Sequence, residues 1–160
     1  MRASRVKDFL DTNRVRYSST VHPLAYTAQG TAAYAHISGK EMAKTVIVKL
    51  DSQLVMAVLP ASAHLDLGAL RKVTKAKSAG LAPEAEFESR FPDCDLGAMP
   101  PFGNLYGIPV YVDEMLTYDK EISFNAGSHN ELMKMAYEDF ERVVNPVVGR
   151  FALTAIRTSA

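Results

Sequence analysis

Apolar residues follow a helical period in some segments of the chain and a strand period in others. Helical spacing, with capping and helix-ending residues at the boundaries, predicts five helices over 4–13, 27–37, 65–73, 83–91 and 137–144. Short extended segments predict strands over 16–21, 44–50, 54–59, 109–113, 122–124 and 132–135. The elements interleave without a repeat or a low-complexity tract, which predicts one continuous α/β domain.

The most apolar of the predicted strands is the segment 44–50, Lys-Thr-Val-Ile-Val-Lys-Leu. It is β-branched and largely apolar on both faces, which is typical of a central strand. The polar residues 51–53 form a predicted turn, and 54–59 returns as a second strand. The two strands are therefore predicted to form an antiparallel hairpin.

The segment 92–109 carries the strongest loop signal, with three glycines and four prolines in 18 residues. A stiff loop of this length in a compact domain is typical of a functional site. A second, tight turn is predicted over 125–128. Residues after 145 show no clear pairing partner, so we expect a domain over 1–145 and a C-terminal tail or arm over 146–160.

Composition narrows the class of protein. The chain has 160 residues, 48% hydrophobic and 22% charged, which fits one globular domain and excludes a disordered or fibrous protein. No apolar run reaches the ~20 residues of a membrane span, so no membrane partner is expected. The single cysteine, Cys94, fits a reducing cytoplasm. With 18 basic and 18 acidic residues the net charge is zero, which predicts no extensive nucleic-acid footprint and no DNA partner.

Common catalytic and cofactor motifs are missing from the sequence. The four histidines are far apart and lack paired ligand spacing, so we expect no metal site. Neither glycine-rich nucleotide motif is present, which predicts no nucleotide cofactor. Ser128 and His129 are adjacent, but neighbours in an extended chain point apart and make a poor nucleophile and base.

Three features leave a structural and a functional interpretation open. Lys44, at the start of the central strand, is either solvated at the sheet rim or held in a cleft there. The loop from Gly97 to Gly103 either stiffens a crossover connection or exposes backbone N–H groups to an oxyanion. The basic residues Arg71, Lys72, Lys75 and Lys77 form either a solvated face or a contact for a few phosphates.

Three motifs in order, 43–48 (Ala-Lys-Thr-Val-Ile-Val), 57–60 with 65–67, and 97–103 (Gly-Ala-Met-Pro-Pro-Phe-Gly), resemble the YbaK-like family. That family includes the editing domain of bacterial prolyl-tRNA synthetases and its free-standing relatives. Lys44 and Thr45 match its lysine–threonine motif, and Gly97 to Pro101 match its G-x-x-x-P loop. The segment 122–128 looks like its glycine turn, and the resemblance covers roughly 4–144.

The resemblance implies a mixed α/β fold with a curved central sheet, and hydrolysis of the ester in mischarged tRNA. It implies that Lys44 holds the terminal adenosine or the substrate carbonyl, and that backbone N–H groups around Gly97 stabilise the oxyanion. The implied substrate-binding residues are Thr45, Pro101, Phe102, Gly103, Asn125, Gly127 and Ser128. The tRNA acceptor end is the implied partner, a synthetase is a second one, and no metal or cofactor is required.

Two other functions stay open at this point. A module of the same fold could bind an acylated ligand without hydrolysis, or the chain could hydrolyse another small ester. Met99, Pro100, Asn125 and Ala126 depart from the residues of some relatives, so the amino-acid specificity is open. His129 either contacts the substrate or lies at the surface.

Overall fold

The computed structural model describes residues 4–21 and 41–154. The helices are α1 Ser4–Thr12, α2 Leu67–Thr74, α3 Glu84–Phe87 and α4 Tyr137–Val144. Short 3₁₀ turns cover Glu88–Arg90, Gly103–Tyr106 and Glu114–Tyr118. The strands are β1 Tyr17–Val21, β2 Ala43–Leu50, β3 Gln53–Pro60, β4 His64–Leu65, β5 Ala79–Leu81, β6 Val110–Asp113, β7 Glu121–Asn125, β8 Glu131–Ala136, β9 Val147–Gly149 and β10 Ala152–Leu153. The predicted helix over 27–37 lies outside the described residues.

Two main sheets meet at the start of β2. A five-stranded sheet has the order β5-β2-β3-β6-β9, and a three-stranded sheet has the order β1-β8-β7. A parallel bridge between Met42 and Ser123 joins them, and the Ser123 N–H donates to the Glu41 carbonyl at 3.0 Å. Antiparallel and parallel pairs occur together, so the predicted mixed α/β fold is confirmed.

The predicted hairpin is formed by β2 and β3, which pair antiparallel from Ala43 opposite Pro60 to Leu50 opposite Gln53. Side chains alternate between the two faces of a strand. On β2, Ala43 and Ile47 pack into one apolar cluster, and Val48 and Leu50 pack into the other. The strand is therefore covered on both faces, as its sequence indicates.

The larger cluster is centred on an aromatic side chain of the predicted loop. Phe102 has no exposed surface, and its ring meets the rings of Phe9, Phe124 and Phe140 at centroid distances of 6.0, 5.4 and 5.7 Å. Edge-on contacts of this kind add to the burial of apolar area. Phe102 thus fixes the loop against α1, β7 and α4.

The smaller cluster lies under α2. Leu70 is fully buried there against the face of the five-stranded sheet that carries Val48 and Leu50. Asp66 caps the helix by accepting the Ala69 N–H at 3.1 Å, and Lys75 ends it in a left-handed conformation. The outward side of α2 is left to polar residues.

The segment after residue 145 differs from the expected tail or arm. β9 pairs parallel with β6, and β10 pairs antiparallel with β4. Buried Asp113 accepts the backbone N–H groups of Phe151 and Ala152 at 2.7 and 2.9 Å, and both residues are buried. The described fold therefore continues to Leu153, because partners distant in sequence satisfy this backbone.

The remaining differences are small. The helix predicted over 83–91 is α3 followed by a 3₁₀ turn, and the loop 92–109 contains the 3₁₀ turn Gly103–Tyr106. In the described ranges, no helix is long and apolar enough to span a membrane.

Candidate active site

Two polar side chains come together where β2 and β7 adjoin. The bridge pairs Met42 with Ser123 in parallel register. Two residues further along each strand, Lys44 and Asn125 therefore begin side by side on the backbone. The period of two puts both side chains on the face away from Ile122 and Phe124, which belong to the larger core. The structure thus brings together two of the predicted site residues from positions 81 apart in sequence.

Lys44 is held at this rim rather than extended into solvent. Its Nζ donates to the Ala63 carbonyl at 2.6 Å, and burial lowers the pKa of the ammonium group. Among the described residues, no carboxylate forms an ion pair with Lys44. Six other basic side chains each form an ion pair with a carboxylate. An ammonium group has three donors, so two of the Lys44 N–H groups have no acceptor among the described residues.

Gly97 lies at the third position of a turn closed by the Ala98 N–H, which donates to the Asp95 carbonyl at 3.1 Å. Its φ of +83° is the conformation that favours glycine at this position. Within the described ranges the Gly97 N–H has no hydrogen-bond acceptor, and the residue is exposed. The turn therefore leaves a backbone donor at Gly97, and its predicted role toward an oxyanion stays a prediction.

The glycine turn and the turn after β7 form one unit. The Asp95 N–H donates to the Gly127 carbonyl at 2.7 Å, and the Gly127 N–H donates to the Ala98 carbonyl at 2.9 Å. Gly127, with φ of +99°, supplies the left-handed conformation that this arrangement uses. Gly97 is therefore placed next to the end of β7, on which Asn125 lies.

His129 completes this connection. The side chain is 7% exposed, and its Nε2 donates to the Leu96 carbonyl at 2.8 Å. A surface position, one of the two alternatives left open for this residue, is thereby excluded.

Ser123, 2% exposed on the polar face of β7, was missed by sequence reasoning. The alternation Ile122-Ser123-Phe124-Asn125, with polar residues on one face only, is the signal that could have identified it.

Other predicted site residues have structural positions. Phe102 is fully buried in the core, and Gly103 leaves no room for a side chain, because a Cβ there would lie 2.5 Å from the Ile108 carbonyl oxygen. Both residues therefore have a packing role in the described fold, and their predicted contact with the substrate stays a prediction. Pro101 is buried as well, and its predicted contact with the substrate also stays a prediction.

Thr45 lies on the opposite face of β2 from Lys44, and Ser128 forms a local hydrogen bond. The alternation of β2 turns Thr45 to the face of Ala43 and Ile47, opposite Lys44. Ser128, at 9% exposure, donates its hydroxyl to the Asn130 side chain at 2.8 Å. The polar lining on the Lys44 side therefore comes from β7 rather than from Thr45.

The Cys94 thiol is not activated as a nucleophile in the structure. Burial raises the pKa of the Cys94 thiol to about 11, which leaves it protonated at neutral pH. No group of three or more histidine, cysteine, aspartate or glutamate side chains in the described ranges could hold a metal.

A polar depression of about 580 Å³ lined by Lys49, Glu86 and Arg90 lies at the other end of β2.

Comparison with known proteins decides the family. The protein-family model of the aminoacyl-tRNA editing domain matches residues 22–143 of this chain. The chain belongs to this family. It is 31% identical over 119 residues to the multifunctional Ser/Thr-tRNA deacylase ProXp-y of Escherichia coli K12, covering 71% of this chain and 70% of that protein. The predicted family and the predicted reaction, hydrolysis of aminoacyl-tRNA, are confirmed.

Solved structures confirm the fold. The hypothetical protein APE2540 matches with a TM-score of 0.83 at 19% identity, over 92% of this chain and 99% of that one. A protein proposed as a trans-editing enzyme for prolyl tRNA synthetase matches with a TM-score of 0.81 at 18% identity, over 95% and 97% of the two chains. The described strands and helices of this editing-domain chain therefore have the architecture of those proteins.

Proposed function

We propose that this editing-domain chain hydrolyses its aminoacyl ester in a crevice bounded by Lys44, Asn125 and the glycine turn 95–98. The observation that carries this proposal is the half-buried ammonium of Lys44, which no described carboxylate neutralises. Lys44 lies on β2 beside β7, and Gly127, which follows β7, is hydrogen-bonded to the turn. A desolvated cation without a counter-charge among the described residues favours an anionic ligand or a developing negative charge.

The chemistry needs positioning and charge stabilisation rather than a covalent intermediate. Water adds to the ester carbonyl, and the tetrahedral intermediate carries an oxyanion that the Gly97 N–H stabilises. The bond between the carbonyl carbon and the ribose oxygen then breaks, and this oxygen takes up the proton that water loses. The products are the free amino acid and tRNA with an intact terminal ribose.

In this mechanism Lys44 binds the terminal nucleotide or the ester carbonyl through its two remaining N–H groups. Asn125 supplies a side-chain amide beside it, and the ribose 2′-hydroxyl of the substrate orients the attacking water. Holding the ester and water together in this way converts a bimolecular step into a unimolecular one. In well-oriented intramolecular reactions this lowers the activation free energy by about 7–11 kcal/mol.

The acyl group that we propose is a small hydroxylated one, seryl or threonyl. One support is the 31% identity with a Ser/Thr-tRNA deacylase. The other is the polar face of β7, which carries Ser123 and Asn125, whereas the opposite face of the strand carries apolar residues. A site that hydrogen-bonds a hydroxyl group discriminates strongly against an analogue without one.

The partner in this reaction is the acceptor end of the tRNA, in the cytoplasm where aminoacyl-tRNA is used. A synthetase that produces the mischarged tRNA is a second partner, since it releases the substrate. Binding confined to one end of the tRNA agrees with the zero net charge of the chain.

The test is release of labelled amino acid from seryl-, threonyl-, alanyl- and cysteinyl-tRNA by wild type, Lys44→Met and Lys120→Met. Lys120 is an exposed lysine outside the crevice and serves as the matched control. We expect seryl- or threonyl-tRNA to be hydrolysed fastest, with at least a 100-fold loss in Lys44→Met only. Binding without turnover, or equal loss in both variants, would overturn the proposal.

A further inference from the structure

The segment from Arg71 to Lys77 is the most concentrated charge in the described chain. It contains four basic residues and no acidic one, and we call Arg71, Lys72, Lys75 and Lys77 the basic patch. All four are exposed, and none forms an ion pair with a described carboxylate. Asp51, the acid next to this segment, is engaged by the backbone N–H groups of Lys77 and Ser78.

The patch differs from six basic side chains elsewhere on the described surface, which are paired with carboxylates. Arg5, Lys7, Lys49, Lys134, Arg142 and Arg150 each lie within 4.0 Å of a carboxylate oxygen. The chain as a whole is neutral, so an uncompensated patch produces a local positive potential and not a general one. Cations in the last turn of α2 also suit the helix dipole, but Lys77 lies beyond that helix.

The position of the basic patch relative to Lys44 indicates which kind of ligand the patch binds. Lys44 extends from the face of β2 that α2 covers, since it alternates in phase with Val48 and Leu50. Lys77 follows α2 at the far end of this face, next to Asp51 and one strand length from Lys44. Six residues of strand separate the two ends, a distance of about 20 Å.

That separation is larger than one nucleotide. Successive phosphates of a nucleic-acid strand lie a few ångströms apart, so about 20 Å spans several of them. If the terminal ester lies beside Lys44, the helical stem that follows the unpaired end passes within reach of the patch. Phosphate contacts of this type position a nucleic acid without reading its sequence.

We infer that the basic patch binds the phosphate backbone of the substrate's acceptor stem and orients the tRNA so that its terminal ester enters the crevice. This inference rests on the proposed function. It adds a second binding surface, about 20 Å from the reacting bond, which acts on substrate binding and not on the chemical step.

The test compares wild type with the quadruple variant R71Q/K72Q/K75Q/K77Q. A matched control, R16Q/K120Q/K134Q/R142Q, removes the same charge from other surface sites. Each protein is assayed on full-length aminoacyl-tRNA and on the same amino acid esterified to a CCA trinucleotide. The affinity for uncharged tRNA is measured separately, and circular dichroism and Tm verify folding, with R71Q/K72Q and K75Q/K77Q as milder variants.

We expect the patch variant to show at least a tenfold lower kcat/KM on full-length tRNA at low salt, with kcat unchanged. The slope of log kcat/KM against log salt should become shallower by about 0.9 for each phosphate that the variant no longer neutralises. Rates on the trinucleotide ester should stay within twofold of wild type. An unchanged salt slope and tRNA affinity, or an equal decrease in the control, would overturn the inference while leaving the proposed function intact. Failure of wild type on both esters would instead overturn the proposed function.

Discussion

His129 Nε2 lies 2.8 Å from the Leu96 carbonyl oxygen, and the imidazole ring would touch a Cβ on Gly97 at 3.4 Å. A carbonyl only accepts, so Nε2 carries the proton of this hydrogen bond. The Leu96 carbonyl and the Gly97 N–H belong to the same planar, trans peptide group and therefore point in opposite directions. His129 thus fixes the direction in which the proposed oxyanion donor points.

The first prediction concerns this hydrogen bond. His129→Phe keeps an aromatic ring but removes the donor, so the Leu96–Gly97 peptide loses its fixed orientation. We expect kcat to fall about 10- to 100-fold, less than or equal to the effect of removing a complete oxyanion donor. His129→Gln retains a donor and should recover at least part of the rate, which single-turnover kinetics would measure. Equal rates in both variants and wild type would exclude this positioning role.

The second prediction concerns the left-handed conformation of Gly97. A side chain at φ +83° costs about 1–2 kcal/mol, and Gly97→Ala should lower both stability and kcat as the turn shifts. Gly80→Ala is the matched control, because a Cβ there meets nothing within 4 Å and no left-handed φ is involved. Chemical denaturation and deacylation rates measure the two effects. A Gly97→Ala protein as stable and active as Gly80→Ala would contradict the backbone donor model.

Elements that depend on neighbouring residues were predicted well. The β2–β3 hairpin follows from two apolar runs and the polar turn between them, and α4 follows from its helical spacing. Gly97 was identified because glycine between constrained residues indicates a special backbone conformation. These signals are local, so sequence alone carries them.

Elements that depend on distant partners were not predicted. β9 and β10 are two or three residues long, and β6 and β4 supply their pairing. The position of Lys44 beside Asn125 depends on one bridge between two sheets, for which the sequence has no signal. The burial of Phe102 depends on three aromatic rings from distant elements, and the loop motif carries no signal for these contacts.

The third prediction tests whether the C-terminal strands belong to the fold. Asp113 is fully buried and accepts three backbone N–H groups, from Met115, Phe151 and Ala152. Asp113→Ala leaves these donors without an acceptor, and we expect a decrease of about 3 kcal/mol in the free energy of unfolding. Asp139→Asn, in a partly exposed ion pair, should change it by less than about 1 kcal/mol. Similar denaturation midpoints for the two variants would show that the segment after residue 145 is not anchored as described.

The fourth prediction separates the function of Lys44 from its effect on stability. Lys44→Met removes the desolvated charge together with the hydrogen bond to Ala63, and these changes should offset within about 1 kcal/mol at pH 7. Burial lowers the pKa of Lys44 below its ordinary 10.5, so between the two pKa values the unfolded chain binds more protons. The stability of wild type relative to Lys44→Met should therefore rise as pH increases through that interval. Denaturation of both proteins from pH 7 to 10.5 measures this difference, and a fall with pH would mean that Lys44 is stabilised as a cation by an anionic partner, which would leave it unavailable to the substrate.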